Sequence, residues 1–218
     1  MSLPTPVRTL DARGIQISTH ILFDVVEALE SLQIGDALEV VTDDFTALDA
    51  DIRSWASITG HPLIDAEPAG GAIRYLIRKA ECAPTVHRMA VVISTDELTD
   101  LLSPLGFSLA AALEGLHVAV FFQGSGVRVL ERGFVPRLRG WQRLFSGTAR
   151  RRLEKAGHDH PQEKVRELLE LGGTVYACGP SLQRFQVLED MLAFDDVVIG
   201  EYVTFVNELD GADITMYC

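Results

Sequence analysis

Five short apolar runs in the second half of the chain restrict the fold more than any other feature. RMAVVIS (88–94), HVAVFF (117–122), TVYAC (174–178), DVVIG (196–200) and ADITMYC (212–218) are rich in β-branched and aromatic residues, and helical patterns separate them. Strands that alternate polar with apolar residues face water on one side, whereas near-continuous apolar strands are covered on both faces. With helices between them, such runs predict a parallel sheet in an α/β layer arrangement, read here as a flavodoxin-like domain over 88–218. The helical stretches include one predicted over Pro104 to Glu114, then QEKVRELLEL and EYVTFVNEL.

The first half has a different grammar. RTLDAR reads as a short strand, and a helix capped by Ser18 or Thr19 follows, with Ile21, Leu22, Val25, Val26, Leu29 and Leu32 at the 3.6-residue period. Gly35 closes that helix, ALEVVTD forms a strand, and TALDADIRSWASITG forms a second amphipathic helix ending at Gly60. HPLIDAEP and AIRYLIRK pair about a Pro-Ala-Gly-Gly turn. The order βαβαββ predicts a two-layer sandwich over 1–79, and KAECAPTVH supplies a linker at about 80–87.

Composition narrows the function classes. A formal net charge of −12 argues against a nucleic-acid partner for the whole chain. MSLPTPVRTL has no apolar core of the kind a secretory leader needs, and no apolar run approaches the roughly 20 residues that cross a bilayer, so the expected location is the cytoplasm. Cys82, Cys178 and Cys218 have no metal-ligand spacing and no disulfide pattern, so no metal is expected.

Ligands of open parallel sheets collect at the carboxyl ends of the strands. Three exits there hold candidate residues: Ser94 and Thr95 after the first strand, Gln123 and Gly124 of a QGSG loop after the second, and Cys178-Gly179-Pro180-Ser181 after the third. Cysteine thiolates are the reactive form, and a helix start can lower a thiol pKa from about 8.5 to between about 3.5 and 7.5. Cys178 at such a start, with Gly179 permitting a close turn and Ser181 able to donate to sulfur, is a candidate activated thiol. An inert packing cysteine is the alternative, since cysteine is among the most buried residue types. The glycines of QGSG suit a plain turn better than a phosphate cradle.

YACGPS and the surrounding strand order resemble the DsrE/DsrF/DsrH-like sulfur-relay proteins over about 87–218. LDARG, DDFTALDADIRSWA and RYLIRK are similar to TusA-like sulfur carriers over about 8–79. The first resemblance implies that Cys178 takes up a sulfane sulfur and passes it to an acceptor thiol, without metal or organic cofactor. It also implies donor and acceptor proteins as partners and self-association as trimers or hexamers. The second comes with a departure: where a TusA-like carrier has Cys-Pro-x-Pro, this chain reads Ile17-Ser18-Thr19-His20. An alkyl side chain cannot form a persulfide, so the first domain is expected to dock partners or pack rather than carry sulfur. A binding or regulatory module of a sulfur pathway is therefore a rival reading, and a nucleotide or flavin binder a third.

Residues 127–155 break the acidic pattern, with nine basic residues, among them Arg137 and Arg139, against Glu131 and Glu154. Phe134, Leu138, Trp141, Leu144 and Phe145 interleave with them. Such a segment can lie on an anionic membrane surface or hold an anionic partner. It can equally pack its aromatics on the domain while its arginines meet the acidic remainder. His158-Asp159-His160 reads as a loop. Cys218, at the exit of the last strand, is expected to lie about two strand spacings from Cys178 in a 2-1-3-4-5 sheet, too far for an unstrained disulfide.

Overall fold

The computed structural model describes residues 4–44, 46–81, 88–138, 140, 146–155 and 159–218. The chain divides into two compact units, Met1–Thr85 and Val86–Cys218.

In the first unit, β1 (Arg8–Asp11), β2 (Ala37–Asp43), β3 (Leu63–Ala69) and β4 (Ala72–Arg78) form one sheet in the order β1-β2-β4-β3. β1 runs parallel to β2, and the other two pairings are antiparallel. Gly70 and Gly71 are the two residues of the β3–β4 hairpin, at φ +63° and +90°, a left-handed pair that favours glycine. Pairing places Leu38 opposite Ile77 and Val40 opposite Tyr75, and all four are fully buried. Helices α1 (Ser18–Glu30) and α2 (Thr46–Thr59) contribute the other layer through Ile21, Val25, Leu29, Leu48, Ile52 and Trp55. The βαβαββ sandwich is therefore as expected. Its first helix has no side-chain cap: Ile17 holds the N-cap position, and Ser18 is already helical. The helix stops at Glu30, well before Gly35, because the chain turns through Gln33–Asp36, where the Gln33 amide donates to Asp36 Oδ2 at 2.8 Å.

The second unit holds β5 (Arg88–Ile93), β6 (His117–Phe122), β7 (Thr174–Cys178), β8 (Val198–Gly200) and β9 (Ile214–Tyr217). They form a parallel five-stranded sheet, and this confirms the flavodoxin-like α/β class. The order is β8-β7-β6-β5-β9, not 2-1-3-4-5. Successive strands are added in one direction from β5, and only the last returns to its far side. Three central strands are buried, whereas the edge strands expose Val198, Ile199 and Ile214, so the expectation of coverage on both faces fails at the edges.

Helix α3 (Leu98–Leu113) packs beside α5 (Pro161–Glu170). It begins six residues before the predicted Pro104, which lies buried inside it, because Leu98 and Leu101 extend the apolar stripe of Leu105 and Leu109 toward the N-terminus. α4 (Ser146–Lys155) belongs to the basic segment, α6 (Gly179–Phe185) follows β7, and α7 (Tyr202–Leu209) connects β8 to β9. Phe205 of α7 stacks on Phe121 of β6 at 4.9 Å and meets Tyr176 of β7 edge-on at 5.6 Å, which places α7 on the sheet face that carries those two rings.

Candidate functional site

Cys178 ends β7 and serves as the N-cap of α6. Its strand is continuous with the domain core, since Val175, Tyr176 and Ala177 are all buried. The side chain is 1% exposed and belongs to the central apolar cluster. The candidate activated thiol is thus enclosed in this structure. Side chains two apart on a strand share a face, so Cys178 follows Tyr176 onto the α7 side. No side-chain cap bond joins its sulfur to the first amides of α6. α6 itself has only seven residues, with proline in its first turn, so its start offers a short and partial dipole.

Ser181 is buried too, and its Oγ accepts the Gly124 N–H at 2.9 Å. The hydroxyl oxygen thus ties α6 to the loop after β6 in place of the expected partnership with sulfur. Gly179 has ordinary space around it: a methyl group there would lie 3.8 Å from Ile199 Cγ2. An open hollow of about 440 Å³ starts at Gly179 and continues along Leu182, Gln186, Leu188 and Ile199.

The other exits converge on one another. Gln123 Nε2 donates to Ser94 Oγ at 3.1 Å and to Tyr217 Oη at 3.0 Å. Thr95 Oγ1 accepts the Glu97 N–H at 3.1 Å, and Arg128 pairs with Asp96 at 3.3 Å. QGSG opens a 3₁₀ helix, Gly124–Leu130. A methyl group on Gly126 would stand 2.5 Å from the Ile93 carbonyl oxygen, and one on Gly124 3.1 Å from that of Ser94. These glycines serve a close approach of two backbones. Ser94, Thr95, Gln123 and Tyr217 therefore gather beside β5 and β9, where the direction of strand addition reverses, and Cys178 lies two strands away on β7.

Cys218 continues β9, its N–H donating to Val92 O at 2.9 Å and its carbonyl accepting from Ser94 N at 2.7 Å. Burial, and then the Asp100 charge, push its thiol pKa up. β6 and β5 separate β9 from β7, so the two cysteines stand three strand spacings apart, roughly 14 Å. Both are free thiols. Cys82 lies outside the described residues.

The basic segment is partly engaged within its own domain. Besides the Arg128–Asp96 pair, Arg132 Nε donates to Leu192 O at 2.8 Å, and the half-buried Phe134 meets His160 at 6.1 Å. Arg137 uses its carbonyl to accept Leu98 N–H at 2.9 Å, and its side chain is exposed. α4 reads SGTARRRLEK, with Arg152 and Lys155 in its last turn. Arg139, Arg143, Trp141, Leu144, Phe145 and His158 lie outside the described residues. His160 caps α5, its Nδ1 accepting Gln162 N–H at 3.3 Å. Among the described residues, no cluster of metal-binding side chains occurs, and no helix is long and apolar enough to cross a membrane.

In the first unit the corresponding hand-over is β1 to α1. Asp11 holds Arg13 through two side-chain bonds, of 2.8 and 2.6 Å, and the arginine keeps its carboxyl down at about 2. Gly14 N–H donates to Asp43 Oδ2 at 2.8 Å, fixing the turn that delivers Ile17 to the helix start. Ile17 is half-buried.

Sequence reasoning missed the residues that stand beside Cys178 on the neighbouring strand and after it. Gly200 is its register partner on β8, and a methyl group on Gly200 would lie 3.0 Å from Thr204 Cβ of α7. The i, i+3 spacing of Tyr202 and Phe205 and a lone glycine at a strand end were the available signals.

A parallel sheet with a cysteine at a strand-to-helix hand-over, preceded by a separate βαβαββ unit, defines a two-unit α/β protein. The chain belongs to the DsrE/DsrF-like family, whose profile matches residues 87–216. Residues 8–79 match the profile described as Sulfurtransferase TusA. Among solved structures it is similar to the ychN protein from E. coli, at 15% identity and a TM-score of 0.44, with 61% of this chain and 100% of that one covered. Both matched families are sulfur-relay families working with partner proteins, and they support a general role in sulfur transfer.

Proposed function

We propose that the chain is a persulfide-handling relay protein and that Cys178 carries the sulfur. In the first step the Cys178 thiolate attacks the outer sulfur of a donor persulfide. A new S–S bond forms on Cys178, the donor's S–S bond breaks, and the donor leaves as its thiolate. An acceptor thiolate then attacks the outer sulfur and restores Cys178. Neither step changes the overall redox state, so no cofactor is needed. The supporting observation is the coincidence of the DsrE/DsrF-like match with a cysteine at the β7–α6 hand-over. The first unit, with Ile17 in place of a cysteine, serves as a docking module for relay partners. Self-association as a trimer or hexamer belongs to the same reading, and light scattering on the purified protein checks it.

One observation favours the rival reading of a non-catalytic regulatory module: the sulfur of Cys178 is sealed in this conformation. Intact mass separates the two. After incubation with a sulfane-sulfur donor, the relay reading predicts a gain of one sulfur atom that disappears in Cys178→Ser. No gain at any donor concentration selects the regulatory module.

A further inference from the structure

The burial of Cys178 is uneven in strength, because the elements around it are anchored very differently. On one side the chain itself closes the space: β7 leads directly into α6, and α6 is tied to the loop after β6 by the Ser181–Gly124 bond. On the other face of the sheet, α3 sends nine buried residues into the core. α7 contrasts with both. Of its eight residues only Phe205 is buried, while Tyr202, Val203 and Val206 are 61%, 81% and 53% exposed. A helix this short has little stability of its own and depends on tertiary packing.

Register and contact place α7 over the thiol. Cys178 pairs with Gly200, and neighbouring residues of a parallel ladder share a face. The Cβ direction of Gly200 runs into Thr204, in the first turn of α7. Tyr176, two residues before Cys178, contacts Phe205 and donates its hydroxyl to Glu208 Oε1 at 2.6 Å. The buried ring of Phe205, the largely exposed ring of Tyr202 set edge-on to Phe121 at 6.1 Å, and one hydrogen bond therefore hold the helix down on the strip of sheet that contains the sulfur.

We propose that α7 is a gate: its first turns close over Cys178, and the thiol reacts only when α7 lifts from the sheet while the rest of the domain stays folded. Local openings of weakly anchored elements cost less free energy than global unfolding, so reactivity here is set by the gate's equilibrium. The gate's biological role rests on the reading of Cys178 as the sulfur-carrying residue; its physical existence does not.

The test measures alkylation of Cys178 by N-ethylmaleimide in the full chain, with Cys82 and Cys218 changed to serine. Gly200→Ala adds a methyl group that pushes on Thr204, Tyr176→Phe removes the bond to Glu208, and Phe205→Ala removes the pin. Each should accelerate labelling, Phe205→Ala by about tenfold or more. In the unaltered background, labelling should rise only shallowly with urea below the unfolding transition, because opening one helix exposes little surface. Gly200→Ala and Tyr176→Phe keep the test valid should Phe205→Ala fail to fold. The gate is overturned if neither changes the labelling rate, if labelling carries the full urea dependence of global unfolding, or if the background thiol reacts as fast as free cysteine. Faster labelling with no sulfur gain from a sulfane-sulfur donor supports the gate and removes the relay reading instead.

Discussion

The two units of this protein present the same local device, a strand that hands over to a helix, and equip it in opposite ways. At the β1–α1 hand-over the N-cap side chain is half-buried but is the alkyl group of Ile17. At the β7–α6 hand-over the N-cap residue is a cysteine, and that residue is 1% exposed. Transfer of sulfur requires both a thiolate and access to it. The first unit lacks the atom, and the second holds the atom under cover. On the function proposed above, the first unit docks partners and the second carries guarded chemistry.

The sharpest way to break that assignment is to give the first unit what it lacks. Ile17→Cys, in a background without Cys82 and Cys218, should yield a thiol that reacts with a maleimide about a hundredfold faster than Cys178, since no helix must lift to expose it. Peptide mapping after brief labelling would show which site is modified. Equal rates would mean that the difference in cover between the two hand-overs has no consequence in solution.

A smaller effect is expected from the tie beneath Cys178. Ser181→Ala leaves the Gly124 N–H without its acceptor, and orphaning a buried donor costs about 1–3 kcal/mol. The urea midpoint of the second unit should fall, while that of the first unit, followed through Trp55 fluorescence in a Trp141→Phe background, stays in place. A shift in both would show that the units do not unfold independently.

The smallest effect is on pH dependence, where the units again differ in sign. Asp11, fully exposed, has its carboxyl lowered by Arg13, so its small contribution is present above about 3.8 and is lost as pH falls toward 2. Glu167 on α5 is raised to about 7, first by burial and then by the Asp159 charge. Its folded form binds the proton more tightly than the unfolded form does, so stability is greatest below about 4.5 and falls as pH rises through 7. Glu167→Gln should flatten that fall, as read from denaturation midpoints at pH 5 and pH 8. An unchanged slope would place the cause elsewhere.

Legibility in the sequence tracked how local the determining physics was. β2, α2, β6 and β7 lie where periodicity and apolar runs put them, because strand and helix periods are written into consecutive residues. Pro104 misled the start of α3: proline suits a first turn, yet the leucine stripe on both sides outweighs its lost hydrogen bond. The strand order was not legible, since moving β9 to the far side of β5 alters no local pattern. Cys178 was found by its position at a strand end, and its burial was missed because its register partner Gly200, and Thr204 beside that glycine, come more than twenty residues later in the chain. Ser181 was chosen for its hydroxyl, which in the structure accepts a backbone amide of the loop after the neighbouring strand β6.

The central claim is that sulfur rides on Cys178 and on no other residue. Incubating the full chain with a ³⁵S-labelled sulfane-sulfur donor, trapping persulfides by alkylation under non-reducing conditions and mapping the peptides tests it most directly. The account predicts label in the peptide that contains Cys178, released by thiol reductant. Label on Cys82 or Cys218 with Cys178 unmodified, or label that survives in Cys178→Ser, would contradict it.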